Sequence, residues 1–219
     1  MKKVLVMLAA CLFCAGFAAA EKKYSGDIQL HGGLGTSSFD ADRATEELDS
    51  FLFTFDIESW HLFKVSDAFS AGFMVSMDSA LGTTEKVEIM GQEGDYGLTG
   101  EFSCNFGPAF AFTLGKVCRL GLTAGFDAGV QISHPYADYD SESEAEISFA
   151  GAGFDLGFQA KFVPESHVSP VVGWRYYKLY ANEYDFKMTI NDSVIEDATY
   201  KDDCNITNSI FYAGVSFNW

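Results

Sequence analysis

The feature that most restricts the fold of this chain is a strict alternation of apolar with polar or small residues over unusually long runs. From Leu98 to Leu114 the even-numbered positions are mostly Phe and Leu, whereas the odd-numbered positions are Thr, Glu, Ser, Asn, Gly and Ala. The alternation resumes from Leu120 to Ile132, after the short segment 115–117. Successive side chains of a β-strand point to opposite faces of the sheet, so the two runs predict a hairpin with one apolar face. Both strands would be longer than the five or six residues usual in globular proteins.

The same pattern predicts eight strands, and no segment after residue 20 has the periodicity of a helix. Short connections near residues 64–67, 115–117 and 163–169 alternate with long ones, which indicates an up-and-down antiparallel arrangement. Pro108 and the segment 59–62 interrupt the alternation and predict β-bulges. The predicted strands are residues 25–37, 50–62, 67–79, 96–114, 118–133, 147–162, 169–182 and 206–219.

Residues 1–20 predict a cleaved signal peptide, because two lysines precede an apolar segment that ends in three alanines. A retained membrane helix and a lipoprotein signal ending at Cys11 are the alternatives. The chain is therefore expected to be exported, with residues 21–219 as one domain.

Charge and hydropathy restrict the partners of the exported domain. The chain has 14 basic and 31 acidic residues and a formal net charge of −17, which argues against nucleic acid as a partner. Although 48% of the residues are hydrophobic, no run after residue 20 reaches the roughly 18 apolar residues of a membrane helix. The apolar strand faces must therefore line the inside of a soluble barrel or meet lipid on the outside of a membrane barrel.

The composition of the two faces favours the membrane barrel. The polar face consists mainly of Gly, Ser, Thr and Ala with isolated charges, as a narrow barrel interior requires, whereas the apolar face is dense in Phe and Leu. Aromatic residues near the strand ends predict the girdle that membrane barrels form at the headgroup region. The residues of this girdle are Trp60, Tyr96, Tyr136, Trp174, Tyr176, Tyr180 and Trp219.

The last nine residues, FYAGVSFNW, alternate strictly and end in an aromatic residue. With the strand pattern, they make the sequence resemble the eight-stranded outer-membrane β-barrels of the OmpA transmembrane, OmpX, OmpW and opacity-protein type. The resemblance implies an all-β protein, a closed eight-stranded antiparallel up-and-down transmembrane β-barrel in the bacterial outer membrane, with both termini in the periplasm. It implies contact with outer-membrane lipids, and with periplasmic chaperones and the barrel-assembly machinery during biogenesis. In those families that machinery reads the final strand, and the matching assembly signal here is Phe211, Val215, Phe217 and Trp219.

Charged residues on the polar face are the main candidates for a functional site. In a narrow interior they would form hydrogen-bonded ion pairs that fill the barrel, since unpaired buried charge is costly. The alternative is a gated pore with a weak preference for cations. The residues of this lumen charge network are Asp27, Asp56, Glu58, Glu101, Arg119, Asp127, Asp155, Lys161 and Arg175.

The predicted long loops, 38–49, 80–95, 134–146 and 183–205, are acidic, and the fourth is long enough to extend a hairpin. They are expected to be solvated surface, with binding of divalent cations or extracellular ligands as alternatives.

The three cysteines after residue 20, Cys104, Cys118 and Cys204, have no metal-ligand or disulfide spacing and are expected to be free thiols. No cofactor or metal site is predicted.

Catalysis would require a nucleophile beside a base and an orienting acid. The one suggestive cluster is Ser133 and His134, with Glu142 and Glu144 in the following loop. No motif supports it, so the chain is not expected to be an enzyme.

The favoured function is an envelope protein that displays acidic loops and conducts little or nothing. An OmpW-like narrow channel for small or hydrophobic solutes and an outer-membrane lipid-modifying enzyme are the alternatives.

Overall fold

The computed structural model of the protein consists almost entirely of β-strands. No helix in the part of the chain that it describes is long and apolar enough to cross a membrane. The predicted signal peptide, residues 1–20, lies outside the described residues. The structure describes residues 24–41, 48–84, 88–89, 92–93, 97–138, 143–191 and 193–219. Its strands are β1 (Tyr24–Ala41), β2 (Leu48–Lys64), β3 (Phe69–Thr84), β4 (Glu88–Ile89), β5 (Gln92–Glu93), β6 (Leu98–Leu114), β7 (Cys118–Asp138), β8 (Ser143–Phe162), β9 (Val168–Ala181), β10 (Tyr184–Ile190), β11 (Ser193–Tyr200) and β12 (Cys204–Asn218).

Eight of these strands, β1, β2, β3, β6, β7, β8, β9 and β12, close into an antiparallel barrel. Each pairs with its neighbours in chain order, and β12 returns to pair with β1 from Asn218 opposite Asp27 to Cys204 opposite Ala41. Closure leaves no barrel strand with an unpaired edge, which is what a sheet surrounded by hydrocarbon requires. The predicted fold, a closed eight-stranded up-and-down barrel, is confirmed.

The two ends of the barrel differ. The turn end carries both described termini and the short connections, among them the β6–β7 turn, where Gly115 adopts a positive φ of 60°. The loop end carries the longer connections. There, β10 continues β9 along the edge of β8, offset by one residue, because Tyr180 pairs with Ala152 whereas Tyr184 pairs with Phe149. Because β10 also pairs with β11, the fourth predicted loop is a hairpin that extends the barrel wall.

Both predicted bulges are wrong. At Pro108 the ladder to β7 is interrupted, but the register is the same before and after the gap, because Phe106 pairs with Phe126 and Ala109 with Thr123. Through the segment 59–62 the register with β1 and β3 is continuous. The shift occurs instead at the loop end of β7, between Ser133 and Tyr136, where Pro135 cannot donate a ladder hydrogen bond.

The strands place apolar side chains outside and polar side chains inside the barrel. Outward residues such as Phe53 and Phe126, each 61% exposed, are large and apolar. Inward residues on the same strands, such as Asp56 and Asp127, are 3% and 0% exposed. The arrangement is opposite to that of a soluble domain, and it identifies the barrel interior as the candidate site.

Candidate functional site

The period of two along each strand directs polar side chains into the barrel interior. All nine residues of the predicted lumen charge network lie there, and each is at most 9% exposed. Asp78 on β3, which is 4% exposed, is a tenth member that the sequence reasoning missed. Its alternation with Ser76, which is also buried, was the signal that could have identified it.

Arg175 on β9 is the centre of the largest ion-pair group. Its Nε atom lies 3.1 Å from Oδ2 of Asp155 on β8. Its two terminal nitrogens donate to Glu58 on β2 and Asp78 on β3. One guanidinium thus joins three carboxylates from three other strands, as its planar fork of donors allows. The group crosses the lumen and occupies its middle.

Asp27 is the centre of a second group nearer the turn end. One of its carboxylate oxygens accepts hydrogen bonds from Arg119 at 2.5 Å and Lys161 at 2.7 Å. The other accepts a hydrogen bond from Gln29 at 2.7 Å. Gln29 lies 3.0 Å from Nε2 of His31, whose Nδ1 is 3.9 Å from Glu58. Gln29 and His31 therefore connect the Asp27 group to the Arg175 group.

The remaining buried carboxyls of the predicted network have no cationic partner among the described residues. Glu101 accepts hydrogen bonds from the Tyr177 hydroxyl at 2.6 Å and from the Asn208 amide at 3.0 and 3.1 Å. Asp56 accepts one from Thr54 at 3.5 Å. Asp127 accepts none. The structure thus brings six of the nine predicted residues into two ion-pair groups and leaves three carboxyls outside them.

Apolar side chains fill the interior at both ends of this polar region. The loop-end cluster packs aromatic and aliphatic residues from β1, β8, β9 and β12, and the turn-end cluster packs residues from β2, β3 and β6. The loop-end cluster is Phe39, Ala41, Phe149, Tyr177, Leu179, Cys204, Ile206 and Ile210. The turn-end cluster is Trp60, Leu62, Met74, Ala109 and Ala111.

The predicted aromatic girdle is wrong at Trp60. This residue is 1% exposed and lies inside the barrel, where its Nε1–H donates to Glu58 at 2.8 Å. Trp174 is partly buried and donates to Ser209 at 3.0 Å, and Tyr180 is 49% exposed. Tyr96 and the side chain of Tyr136 lie outside the described residues.

The terminal residue Trp219 lies against Gly26 at the turn end. Its backbone N–H donates to the carbonyl oxygen of Gly26 at 3.1 Å, and a Cβ at residue 26 would lie 2.4 Å from the indole Nε1. Only glycine therefore leaves room for the ring in this position. The other residues of the predicted assembly signal, Phe211, Val215 and Phe217, are exposed on the outer face of the closing strand.

The geometry does not form a catalytic site at Ser133 and His134. Ser133 is buried in the lumen, 2.9 Å from the hydroxyl of Thr99. The ring of His134 lies 4.0 Å from Glu144 and 3.8 Å from Glu146, and it is not paired with Ser133. Glu142 lies outside the described residues.

Cys104, Cys118 and Cys204 are free thiols. Within the part of the chain that the structure describes, no three His, Cys, Asp or Glu side chains converge as metal ligands.

A closed up-and-down barrel with an apolar outer face and a polar interior has the architecture of outer-membrane β-barrels. No model of a known protein family matches the sequence, and no curated protein matches it. Solved structures do match, and all three described below are outer-membrane or bacterial surface proteins.

The outer membrane protease OmpT of Escherichia coli is similar with a TM-score of 0.52 and 9% identity, covering 92% of this chain and 100% of that one. Neisserial surface protein A has a TM-score of 0.51 and 10% identity, covering 90% and 99% of the two chains. A major outer membrane protein of Thermus thermophilus has a TM-score of 0.51 and 8% identity, covering 90% and 100%. At these identities the similarity is one of fold, and the chain has the fold of an outer-membrane β-barrel.

Proposed function

We propose that this protein is an integral outer-membrane barrel with a closed interior, whose role is to present its loop end at the cell surface. The observation that carries the proposal is the filled lumen: apolar clusters at both ends enclose ion pairs in the middle. An eight-stranded barrel encloses little more than its own side chains. A path for solutes would require these groups to separate.

The outer face supports the membrane location. Exposed Phe, Leu, Ile and Val side chains surround the barrel, and such a surface would associate in water. Contact with hydrocarbon avoids this association, and closure of the barrel satisfies the hydrogen bonds of the backbone. In this proposal the lipids of the outer membrane cover the apolar surface, and the barrel-assembly machinery and periplasmic chaperones deliver the chain.

The loop end supports a surface role because it extends beyond the barrel and is acidic. The hairpin β10–β11 and its flanking residues carry six described acidic residues and two lysines, Lys187 and Lys201. Their side chains are exposed or half-exposed, as a solvated surface would be. The six acids are Glu183, Asp185, Glu196, Asp197, Asp202 and Asp203.

The closed interior is tested by planar-bilayer recording of the refolded barrel. We expect no steady conductance from the unaltered protein. An Arg175→Ala variant that folds should conduct more often, because it lacks the side chain that crosses the lumen. Stable current steps from the unaltered protein would overturn the closed interior and support the narrow channel for small or hydrophobic solutes.

Native lysines can test the orientation of the barrel in the membrane. An amine-reactive reagent that does not cross membranes, applied to intact cells, should modify Lys187 and Lys201 at the loop end. Lys116 at the turn end has a side chain that is 85% exposed, so it serves as a matched control that should react only after the membrane is broken. Mass spectrometry locates the modified residues. Modification of Lys116 alone on intact cells would mean that the barrel has the opposite orientation.

The expected absence of catalysis is tested with His134→Ala. Because Ser133 and His134 are not paired, the variant should leave the composition of the envelope lipids unchanged. A change in lipid acylation or headgroups with unchanged protein abundance would support the lipid-modifying enzyme instead.

A further inference from the structure

Negative charge exceeds positive charge in the lumen. Among the described residues, seven acidic side chains are buried there, against two arginines and one lysine. All three cations are already bonded: Arg119 and Lys161 contact Asp27, and Arg175 contacts three carboxylates. The seven acids are Asp27, Asp56, Glu58, Asp78, Glu101, Asp127 and Asp155.

Asp127 on β7 differs from the other six. Asp127 and Asp155 are both 0% exposed, and in the described residues neither has a hydrogen-bond partner on either carboxylate oxygen. Asp155 lies 3.1 Å from Nε of Arg175, whereas Asp127 has no ion pair with a described residue. Glu101, which also has no cationic partner, accepts three hydrogen bonds from Tyr177 and Asn208. A buried carboxylate without partners is costly, and proteins resolve that cost by pairing, by coordination of a cation or by protonation. The surroundings of Asp127 indicate which of these applies.

Further oxygen atoms without partners lie beside Asp127. Asn105 on β6 pairs directly with Asp127, so the two side chains lie on the same face about 5 Å apart at Cβ. Asn105 is 2% exposed, and its amide lies near Asp155 without forming a hydrogen bond of good geometry. The hydroxyl of Ser103, two residues along the same strand, is also buried and without a partner.

Glycines occupy the positions next to Asp127. The inward-facing neighbours of Asp127 on β7 are Gly125 and Gly129, and its partner on β8 is Gly153. A Cβ at Gly125 would lie 2.8 Å from both polar atoms of the Asn105 amide. The Asn105 amide therefore lies over residue 125, the inward-facing neighbour of Asp127, because residue 125 lacks a side chain.

We propose that Asp127, Asn105 and Ser103 form a binding site for one small monovalent cation of the size of sodium. Carboxylate, amide carbonyl and hydroxyl oxygens are the donors that hard cations prefer. The set carries one negative charge that no cationic side chain among the described residues balances, which suits a singly charged ion. A second positive charge would be disfavoured, because the nearby carboxylate of Asp155 is already bonded to Arg175.

The site is tested by urea unfolding of the full barrel, refolded in detergent micelles in sodium chloride or in N-methylglucamine chloride at equal ionic strength. Refolding takes place in each salt because the closed lumen would capture the ion as the barrel forms. We expect a higher urea midpoint in sodium, rising with the logarithm of sodium concentration as binding to the folded state requires. A midpoint that is the same in both salts would overturn the proposal and leave a proton or water on Asp127.

Two variants test whether Asp127 is responsible for the dependence of the urea midpoint on sodium. Asp127→Asn keeps the shape but removes the charge, so it should lose the dependence on sodium and unfold at a higher urea concentration than the unaltered protein in N-methylglucamine. Glu101→Gln is the matched control, a buried acid whose oxygens are already hydrogen-bonded, and it should retain the dependence. An unchanged sodium effect in Asp127→Asn would place the ion elsewhere and refute the site.

A direct measurement keeps the test decisive if Asp127→Asn does not fold. The unaltered barrel, refolded in sodium chloride and then exchanged into N-methylglucamine chloride by gel filtration, should retain more sodium by elemental analysis than protein-free micelles, and the Ser103→Ala variant should retain less. Sodium content equal to that of empty micelles would refute the site. Neither result bears on conductance, so this inference and the closed interior can fail independently.

Discussion

Replacement of Phe126 by Arg tests which face of the barrel meets hydrocarbon. Phe126 lies midway along the outward apolar positions of β7, which run from Leu120 to Ile132, and it is 61% exposed. Its partners across the two neighbouring strands, Phe106 and Phe154, are also outward and apolar. We therefore place it near the middle of the apolar band, where an arginine costs about 2–4 kcal/mol.

Val117 is the matched control, because it is apolar and 71% exposed but lies in the β6–β7 turn. A strand that rises about 3.3 Å per residue and tilts about 40° advances roughly 2.5 Å along the barrel axis per residue. The nine residues from Phe126 to Val117 thus correspond to about 22 Å, well beyond half of an apolar band about 25 Å tall. Val117→Arg should cost only about 0–1 kcal/mol.

Urea unfolding in lipid vesicles, followed by tryptophan fluorescence, measures both variants. With an m-value of about 2 kcal/mol per M, Phe126→Arg should lower the midpoint by about 1–2 M and Val117→Arg by less than about 0.5 M. Equal midpoints for the two variants would refute the assignment, because an outer face in water would tolerate arginine at both positions.

Three other perturbations have defined outcomes. Arg175→Met should destabilise the barrel by about 3–5 kcal/mol in the same urea assay, because it leaves Glu58, Asp78 and Asp155 without their cation; a loss below about 1 kcal/mol would show that this group is not closely paired. Gly26→Val should displace the Trp219 ring and, like deletion of Trp219, slow assembly in cells more than it lowers stability; normal assembly of both variants would contradict a recognition role. The folded barrel should migrate differently on a detergent gel when unheated than when boiled, and identical migration would argue against a closed barrel.

The sequence pattern alone predicted the topology, because the alternation along each strand depends on the environment that each side chain faces. The predicted strand 96–114 corresponds to β6, Leu98–Leu114, where Phe and Leu point outward and small or polar residues point inward. The same pattern failed where the environment inside the barrel changes. At Trp60 and Leu62 the register continues, but the inward residues become apolar because they join the turn-end cluster.

The predicted ends of the strands were less accurate at the loop end of the barrel. β1 was predicted to end at residue 37 and extends to Ala41, and β8 was predicted to begin at residue 147 and begins at Ser143. Alternation reflects contact with an apolar environment, whereas backbone pairing requires only a neighbouring strand. Pairing that extends beyond the apolar band therefore leaves little trace in the sequence.

The partners within the lumen could not be predicted, although the inward residues could. Asp27 is 92 residues from Arg119 and 134 from Lys161, and Asp78 is 97 residues from Arg175. Which inward side chains meet depends on the stagger of the closed barrel, which alternation along single strands does not determine. Asp127 shows the consequence, because its sequence pattern is that of the paired acids but it has no hydrogen-bond partner in the described part of the chain.

The position of Arg175 also determines how a closed barrel of this kind would behave in a bilayer. Its guanidinium joins β9 to acids on β2, β3 and β8, so any continuous path through the middle of the lumen requires that group to separate. If separation costs the roughly 3–5 kcal/mol of breaking a buried ion pair, the open state is populated in about one molecule per hundred to one per several thousand, since 1.4 kcal/mol is a factor of ten. Recordings should then show rare, brief openings above a silent baseline. Arg175→Ala, which removes the side chain at the lumen centre, should make them more frequent, and an unchanged frequency in folded Arg175→Ala protein would show that another group closes the lumen.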